Sequence, residues 1–353
     1  MKSLELSAAV RSEKYNDFGS TTNPKVGLTW VPVENLKIRG TWGTSFKAPS
    51  LNDKYGAIDA AIFDLPDVDG TLTRSLVALG ANRDLGPEKA HTWTIGADYH
   101  VAFSSNLDAA TSLTYFNTVY RDRIQFVDNN IFNILPNAAI YPSAVVRNPS
   151  LAFVNDFIAN AAQVFDIVGP YDPSQIAAFV RSTPLNVASY NTDGLDLLIH
   201  LKELSRVGEF AESLNATYYL NASQQTTAYV PTVSRLNDIF YLPGLKLRAS
   251  ASWSKNPWSI GSFVNFQKRY HNDNVVPTEP VDSYTTVDMQ VSFAPDTLFG
   301  GGFRVGLSAL NVFDRQPPHV VTPLFPNSVQ FGFDPASANP IDRFLSLQLS
   351  KHW

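Results

Sequence analysis

The feature that most constrains this chain is a two-residue period that recurs along nearly its whole length. The last eleven residues are the plainest case. Leu345, Leu347 and Leu349 fall on one parity, with Trp353 ending it, and Ser346, Gln348, Ser350 and His352 fall on the other. In a strand, successive side chains point to opposite faces, so this spacing gives one apolar and one polar face and is incompatible with a helix. A ribbon of that kind has two homes: the wall of a soluble sandwich, or a membrane barrel with hydrocarbon on one side and water or protein on the other.

The same alternation marks twelve segments. They are 3–14, 22–31, 36–45, 90–103, 107–115, 195–202, 213–221, 245–253, 258–266, 287–293, 303–310 and 343–353. Most have about the 9–11 residues that a tilted membrane strand needs. The apolar parity holds almost no charge. Lys37, Arg39, Asp98, Asp108, Asp196, Lys202, Lys246, Arg248, Asp288 and Arg304 all stand on the polar parity. An Arg or Lys facing lipid at midplane costs roughly 2–4 kcal/mol, whereas a wet lumen accepts it. Trp30, Trp42, Trp93, Trp253, Trp258 and Trp353 lie near strand ends, where a membrane interface favours aromatic rings.

Connection lengths separate the two homes. Short turns near 32–35, 104–106, 203–208, 255–257 and 295–301 alternate with longer connections near 46–87, 122–186, 224–242, 271–281 and 314–341. Only the first connection, at 16–20, is short where the pattern calls for a long one. Outer-membrane barrels have short turns on the periplasmic side and long loops outside, and a sandwich has no reason to alternate in step. The reading is an all-β antiparallel transmembrane barrel with a periplasmic C-terminus. Two stretches inside the long connections look helical, from Pro149 to about Val164 and from Pro173 to Arg181, each entered at a proline.

Composition narrows the function. Of 353 residues, 44% are hydrophobic, 12% aromatic and only 17% charged. No apolar run reaches the roughly 18 residues of a membrane helix. The net charge of −5 and the lack of a basic stripe argue against a nucleic-acid partner. With no cysteine, disulfides and thiolate metal sites are excluded. No G-x-S-x-G elbow, P-loop or Ser-His pairing on one strand face is present, so an outer-membrane hydrolase is the least favoured class and no catalytic residue or cofactor is expected. His91, His100, His200, His271, His319 and His352 are scattered without metal-ligand spacing. Asp64, Asp67, Asp69 and Gly70 faintly echo a calcium loop, but the spacing fails and no Glu completes it, so a solvated turn is expected.

Several stretches resemble the barrel of TonB-dependent outer-membrane receptors. They are Tyr15 to Gly19, Asn23 to Trp30, Leu36 to Ser50, Leu85 to Ala90, and Leu310 to Pro318 with its Asn311-Val312-Phe313-Asp314 core. The resemblance implies TonB-energised uptake of a scarce small ligand, a siderophore, vitamin or oligosaccharide, with outer-membrane lipid around the barrel. A barrel of that kind has about 22 strands, and neither a plug domain, a TonB box nor a signal peptide is visible. Residues 1–353 are therefore expected to be the C-terminal portion of a receptor barrel, a fragment contacting TonB only through a missing plug. An open, strongly curved half-barrel is expected for the chain alone, with a passive pore as the alternative function. Tyr, Asn and Gln in the connections at 122–186 and 224–242 are the expected ligand contacts, without a specific residue singled out. Arg39, Phe46 and Pro49 are expected to fix a strand-to-loop exit.

Overall fold

The computed structural model describes residues 2–128, 130–296, 302–321 and 332–352. Twelve long strands form one antiparallel sheet in which each pairs with the next in chain order. They are β1 (Ser3–Tyr15), β2 (Gly19–Val33), β3 (Leu36–Lys47), β4 (Glu88–Ser104), β5 (Leu107–Gln125), β6 (Leu185–Ser205), β7 (Gly208–Gln225), β8 (Leu245–Lys255), β9 (Trp258–Gln267), β10 (Tyr284–Phe293), β11 (Phe303–Leu310) and β12 (Phe344–Lys351). β1 and β12 form the two edges and do not pair, so the barrel is open. The twelve strands coincide with the twelve alternating segments. β4 to β7 run longer than the apolar alternation because their far ends rise beyond the apolar band and become polar.

The apolar parity is exposed. Leu347 is 66% accessible and Leu6 77%, and Leu4, Leu28, Ile95, Leu113, Tyr218, Ile260, Met289, Leu307, Leu345 and Leu349 are exposed as well. These residues share rows across the sheet, as in Leu6–Leu28–Gly40–Ile95–Tyr115–Leu195–Tyr218. Fully burying such a side chain is worth about 1.5–3 kcal/mol, so a face of this size is stable only against an apolar medium. The strands add four residues to the buried apolar set, Ala90, Leu185, Ala188 and Ala222, all near the loop ends. Glu212 is an exception to the apolar parity: it is exposed and faces Leu201 on β6 and Ala251 on β8, and nothing in the structure explains a charge there.

Gly194 on β6 sits where the register between β6 and β7 shifts. A Cβ there would lie 2.6 Å from the Tyr218 carbonyl and 2.9 Å from the Phe116 ring. Glycine is required by the close backbone approach that a bulge creates.

The buried core lies in the loops. Connections 48–87 and 126–184 together build a five-stranded mixed sheet, in the order 145–147, 178–182, 72–80, 58–66, 164–166. Ala61, Leu65, Val77, Ile134, Leu135 and Val180 pack on one side of it. Ala60, Ile62, Leu76, Val154 and Phe179 pack on the other. Both faces are covered, so its strands read as unbroken apolar runs such as Ala60-Ala61-Ile62-Phe63, and no alternation marks them. The long connection at 46–87, which lacks the alternation, holds a hairpin, Ile58–Pro66 with Leu72–Gly80, and the short helix Leu51–Tyr55. The helix expected from Pro149 is present as Leu151–Asn160, capped by Ser150, whose hydroxyl accepts from the Phe153 amide at 3.2 Å. Its Phe153 and Phe157 meet Phe179 edge-on at 4.9 and 5.0 Å. The second expected helix is a correction. After one 3-10 turn at Pro173–Gln175 the chain becomes a strand, Ala178–Ser182, running parallel to Leu72–Gly80. A proline can start either element, and Phe179 and Val180 bury opposite faces of a sheet here.

Ion pairs tie the loop unit together. Arg74 Nε donates to Asp64 Oδ1 at 2.5 Å. Arg147 Nη2 donates to Asp67 Oδ1 at 2.7 Å and Nη1 bonds Oδ2. The Arg147 bonds hold Asp67 well below the usual carboxylate range, with the Val68 amide and Thr73 hydroxyl adding to the effect. Asp67, Asp69 and Gly70 form the tip of a hairpin. Asp69 accepts from Thr71, and the carboxylates of the faint calcium motif are engaged by arginines and turn groups.

Two outcomes follow from these placements. Leu347 pairs with Leu307 on the apolar face and Gln348 with Gly306 on the polar one. Leu347→Arg is expected to abolish bilayer insertion and Gln348→Arg to leave it intact, read from the heat-modifiable mobility of reconstituted protein. Equal behaviour of the two contradicts the face assignment. A depressed Asp67 contributes stability that is fully present above the ordinary carboxylate value near pH 4 and is lost as the pH falls below it. Arg147→Met is expected to cost about 1 kcal/mol or less, given the exposure of the arginine. It is expected to speed proteolysis in 126–184 at pH 7, and the difference is expected to shrink as the pH falls below the ordinary carboxylate value and to vanish only once Asp67 of the unaltered protein is itself protonated, well below that range.

Candidate functional site

The polar face of the sheet is a continuous hydrogen-bonded wall. Arg39 on β3 grips Asp98 on β4 with two bonds of 2.8 Å, and its Nη2 also reaches Ser112 and Thr114 on β5 at 3.1 Å. Lys37 adds a 3.3 Å contact to Asp98. Farther round, Thr217 donates to Asp196 at 2.6 Å, and Asn265 donates to Thr286 and Asp288 at 3.1 and 3.0 Å. Arg248 donates to Asn265 at 2.5 Å and lies 4.6 Å from the Phe263 ring centre. Between the charges run hydroxyl pairs, Thr41–Thr94 and Ser213–Ser250 at 2.7 Å each. Most of the charges expected on the polar parity thus find a partner across strands. Direct cross-strand pairs of this type contribute roughly 0.2–1 kcal/mol each.

Arg39 does not fix a loop exit, which corrects the expectation from sequence; it holds three strands in the middle of the wall. Phe46 fits its expected place, packing on Tyr15 and Phe18 at 5.7 and 6.2 Å where β3 ends. Pro49 leads into Ser50, which caps the helix Leu51–Tyr55 through the Asp53 amide at 3.0 Å. Of the histidines, His100 and His200 flank Ala110 from the two neighbouring strands, and His100 pairs with Asp108 at 2.7 Å. The other four are far apart in the chain order of the sheet. Among the described residues no cluster of three or more metal-ligating side chains forms. Trp353 and most of the turn expected at 295–301 lie outside the described residues.

Two features stand at the loop end of the wall, a hollow and a side-chain cluster. The first, of about 510 Å³, lies between Lys246, Asn265, Gln267, Tyr284 and Asp288 of the wall and a roof formed by 335–339. Tyr284 donates to the carbonyls of Arg315 and Asn339, tying this roof to the strand. The second is a cluster where the connection 226–244 meets β6 and β7. Arg235 donates to Gln224 at 3.2 Å and to Asp238 at 3.0 Å, and stacks 5.0 Å over Tyr241. Tyr241 donates to Gln224 at 2.9 Å. Arg123 lies 5.7 Å over the Tyr190 ring. Asp238 is buried with its Oδ1 unpartnered among the described residues. Beside it, burial and the neighbouring Asp334 push the Tyr270 phenol well above its ordinary value. Two guanidinium groups stacked on two phenol rings, next to amides, suit an anionic, flat or aromatic ligand. These residues fall within or beside the connections expected to carry ligand contacts. Which tyrosine and which arginine meet was not readable, because Arg123, Tyr190 and Arg235 come from three distant stretches.

The wall network has a measurable weight. Arg39→Met leaves Asp98 with only Lys37 and the Ser112 hydroxyl, and is expected to lower the unfolding free energy by about 1–3 kcal/mol. Arg39→Met combined with Asp98→Leu is expected to cost less than the single change, because the half-buried carboxylate is gone and the Lys37 left behind is half exposed to water. Urea titrations of reconstituted protein give the comparison, and a neutral single substitution would remove the network's structural role.

The family described as TonB dependent receptor-like, beta-barrel, matches residues 1–312. Among solved structures, a variant of the ferric enterobactin receptor of Pseudomonas aeruginosa, in complex with enterobactin, aligns with a TM-score of 0.65 at 15% identity. It covers 99% of this chain and 43% of its own. The siderophore receptor PirA of Acinetobacter baumannii aligns with a TM-score of 0.60 at 14% identity, covering 99% of this chain and 43% of its own. This chain thus spans less than half the length of either structure, and identity at that level speaks for the fold alone.

Proposed function

This chain belongs to the TonB-dependent receptor β-barrel family, and we propose from that premise that it forms one wall of an outer-membrane receptor for a siderophore. Barrels of this family reside in the outer membrane, and its members are transport receptors rather than enzymes. The observation that carries the reading is the pairing of an exposed apolar face with a charged, internally bonded opposite face that ends in the Arg123, Tyr190, Arg235 and Tyr241 cluster. The first needs hydrocarbon. The second needs water, ligand or protein.

In this reading the short turns and the C-terminus face the periplasm and the long connections face outward. The loop unit at 58–80 and 145–182 stands over the vestibule and gives its rim a rigid side. A ligand from outside meets the stacked arginines first. Release to the periplasm is energised by TonB acting on a plug domain. The free edges of β1 and β12 are where further strands complete the wall, since hydrocarbon tolerates no unpaired edge. Ferric catecholates are the preferred ligands, because they join negative charge to flat rings, the chemistry that arginine on tyrosine accepts.

Ferric enterobactin titrated against the full reconstituted chain, followed by tryptophan quenching, tests this. Arg123→Gln, which removes a charge from the ring stack and leaves Asp238 paired, is expected to weaken binding on the order of tenfold, about 1.4 kcal/mol. Unchanged affinity in the variant, or equal binding of a neutral oligosaccharide, argues against a siderophore.

A further inference from the structure

One row of side chains on the polar face crosses five strands at the loop end. It runs Asp196, Thr217, Lys246, Gln267 and Tyr284, from β6 to β10, each directly opposite the next. The outer members are engaged. Thr217 donates to Asp196 at 2.6 Å, and Tyr284 donates to the carbonyls of Arg315 and Asn339. The two in the middle are not. Lys246 is half-buried, and its ammonium makes no ion pair or hydrogen bond among the described residues. Gln267 is only 7% exposed, yet its side-chain amide bonds to nothing among the described residues. The amide atoms are not sealed off either, and both residues line the hollow of about 510 Å³. Buried amides in folded proteins are nearly always hydrogen-bonded, so a free one beside a free ammonium calls for a partner from outside the chain.

The lining selects the chemistry of that partner. Asp288, the other charged residue there, is already engaged. It accepts from Asn265 and from the Asn311 amide at 3.0 and 2.9 Å, with Arg248 4.0 Å away. Lys246 is left as an uncompensated charge, so the hollow favours an anion. The roof begins at Asp334, a buried carboxylate that accepts from the Phe240 and Ala336 amides. A multiply charged anion would therefore meet one free cation and two carboxylates, whereas a single charge is matched. Directly paired residues stand about 4.5–5.5 Å apart at Cβ. At that spacing an ammonium and an amide N–H can each reach one oxygen of the same carboxylate. Leu310 and Ile341 line the same space and stay 47% and 57% exposed, so the rest of the occupant is apolar.

We propose that the hollow between β8, β9, β10 and the turn 335–339 binds a small monocarboxylate with a short apolar body. Lys246 Nζ and Gln267 Nε2 take the carboxylate, and Leu310 and Ile341 hold the body. A molecule of this size suits a recess of several hundred Å³ lined by apolar groups with a few placed polar ones. Because the occupant touches both the wall and its roof, it ties the connection after β11 to β8 and β9. The site shares no residue with the Arg123, Tyr190, Arg235 and Tyr241 cluster, and it stands whether or not that cluster takes a siderophore.

The test is equilibrium dialysis of phenylacetate at pH 7 against the full chain in phosphatidylcholine nanodiscs, with empty nanodiscs subtracted. The unaltered chain is expected to bind phenylacetate saturably and phenylacetamide, which has the same body without the charge, at least tenfold more weakly. Lys246→Met is expected to weaken phenylacetate on the order of tenfold and to remove the salt dependence of binding, with Lys246→Arg restoring part of it. Gln267→Leu is expected to weaken it several-fold and to keep the salt dependence. Hydrogen exchange in 335–339 is expected to slow when phenylacetate is bound. Insertion of each variant is scored by heat-modifiable mobility, and the comparison of acid with amide needs no variant at all. Equal binding of the amide, no saturable binding by the unaltered chain, unchanged affinity in Lys246→Met, or displacement by inorganic phosphate overturns the site. Displacement by ferric enterobactin overturns its independence from the arginine cluster, and loss of enterobactin binding in Arg123→Gln leaves it untouched.

Discussion

The constraint behind this architecture is that hydrocarbon offers no hydrogen-bond partner to a peptide group. A chain that presents leucine rows to such a medium must pair every N–H and C=O within its own sheet, and a long antiparallel ladder does so strand by strand. All else follows from that ladder. Because the ladder carries the backbone, one face is free to be wholly apolar and the other to be charged. Because neighbouring strands run in opposite directions, connections emerge at alternate ends, and one end can be trimmed to two-residue turns while the other accumulates the loops.

The two sides solve different problems with different residues. Leu6, Leu28, Ile95 and Leu347 need no specific neighbour, since any acyl chain serves. Arg39, Asp98, Arg248 and Asp288 each need a named partner, and cross-strand register supplies one. Conventional packing appears only in the loop unit, where Phe179 and Ile62 are fully enclosed. Water surrounds that region in the proposed orientation, so hydrophobic burial again drives structure there. The molecule thus changes its stabilising principle along its height, from ladder bonding against lipid to a packed core in solvent.

Much of this was legible from sequence, for a physical reason. Alternation in β8, with Leu245, Leu247, Ala249, Ala251 and Trp253 against Lys246, Arg248, Ser250 and Ser252, is a direct consequence of facing two media, so composition records the pleat. All twelve wall strands declare themselves this way. The loop sheet does not, because Ile58–Pro66 and Ala178–Ser182 are covered on both faces and carry no contrast between them. The stretch after Pro173 reads as a helix start for the same reason. Arg39 also carried a local signal that pointed the wrong way. It adjoins a motif at the end of β3, yet its role is set by Asp98, 59 residues on.

The sequence by itself determined the period, the faces, the strand number and the side on which the long connections fall, because each is a local consequence of residue order. Tertiary structure decided what residue order leaves open: that Arg123, Tyr190, Arg235 and Tyr241 share one cluster, that two separate connections build one sheet, and that β1 and β12 remain apart. Those are contacts between residues far apart in the chain, and pleat periodicity says which way a side chain faces but not which distant side chain it meets.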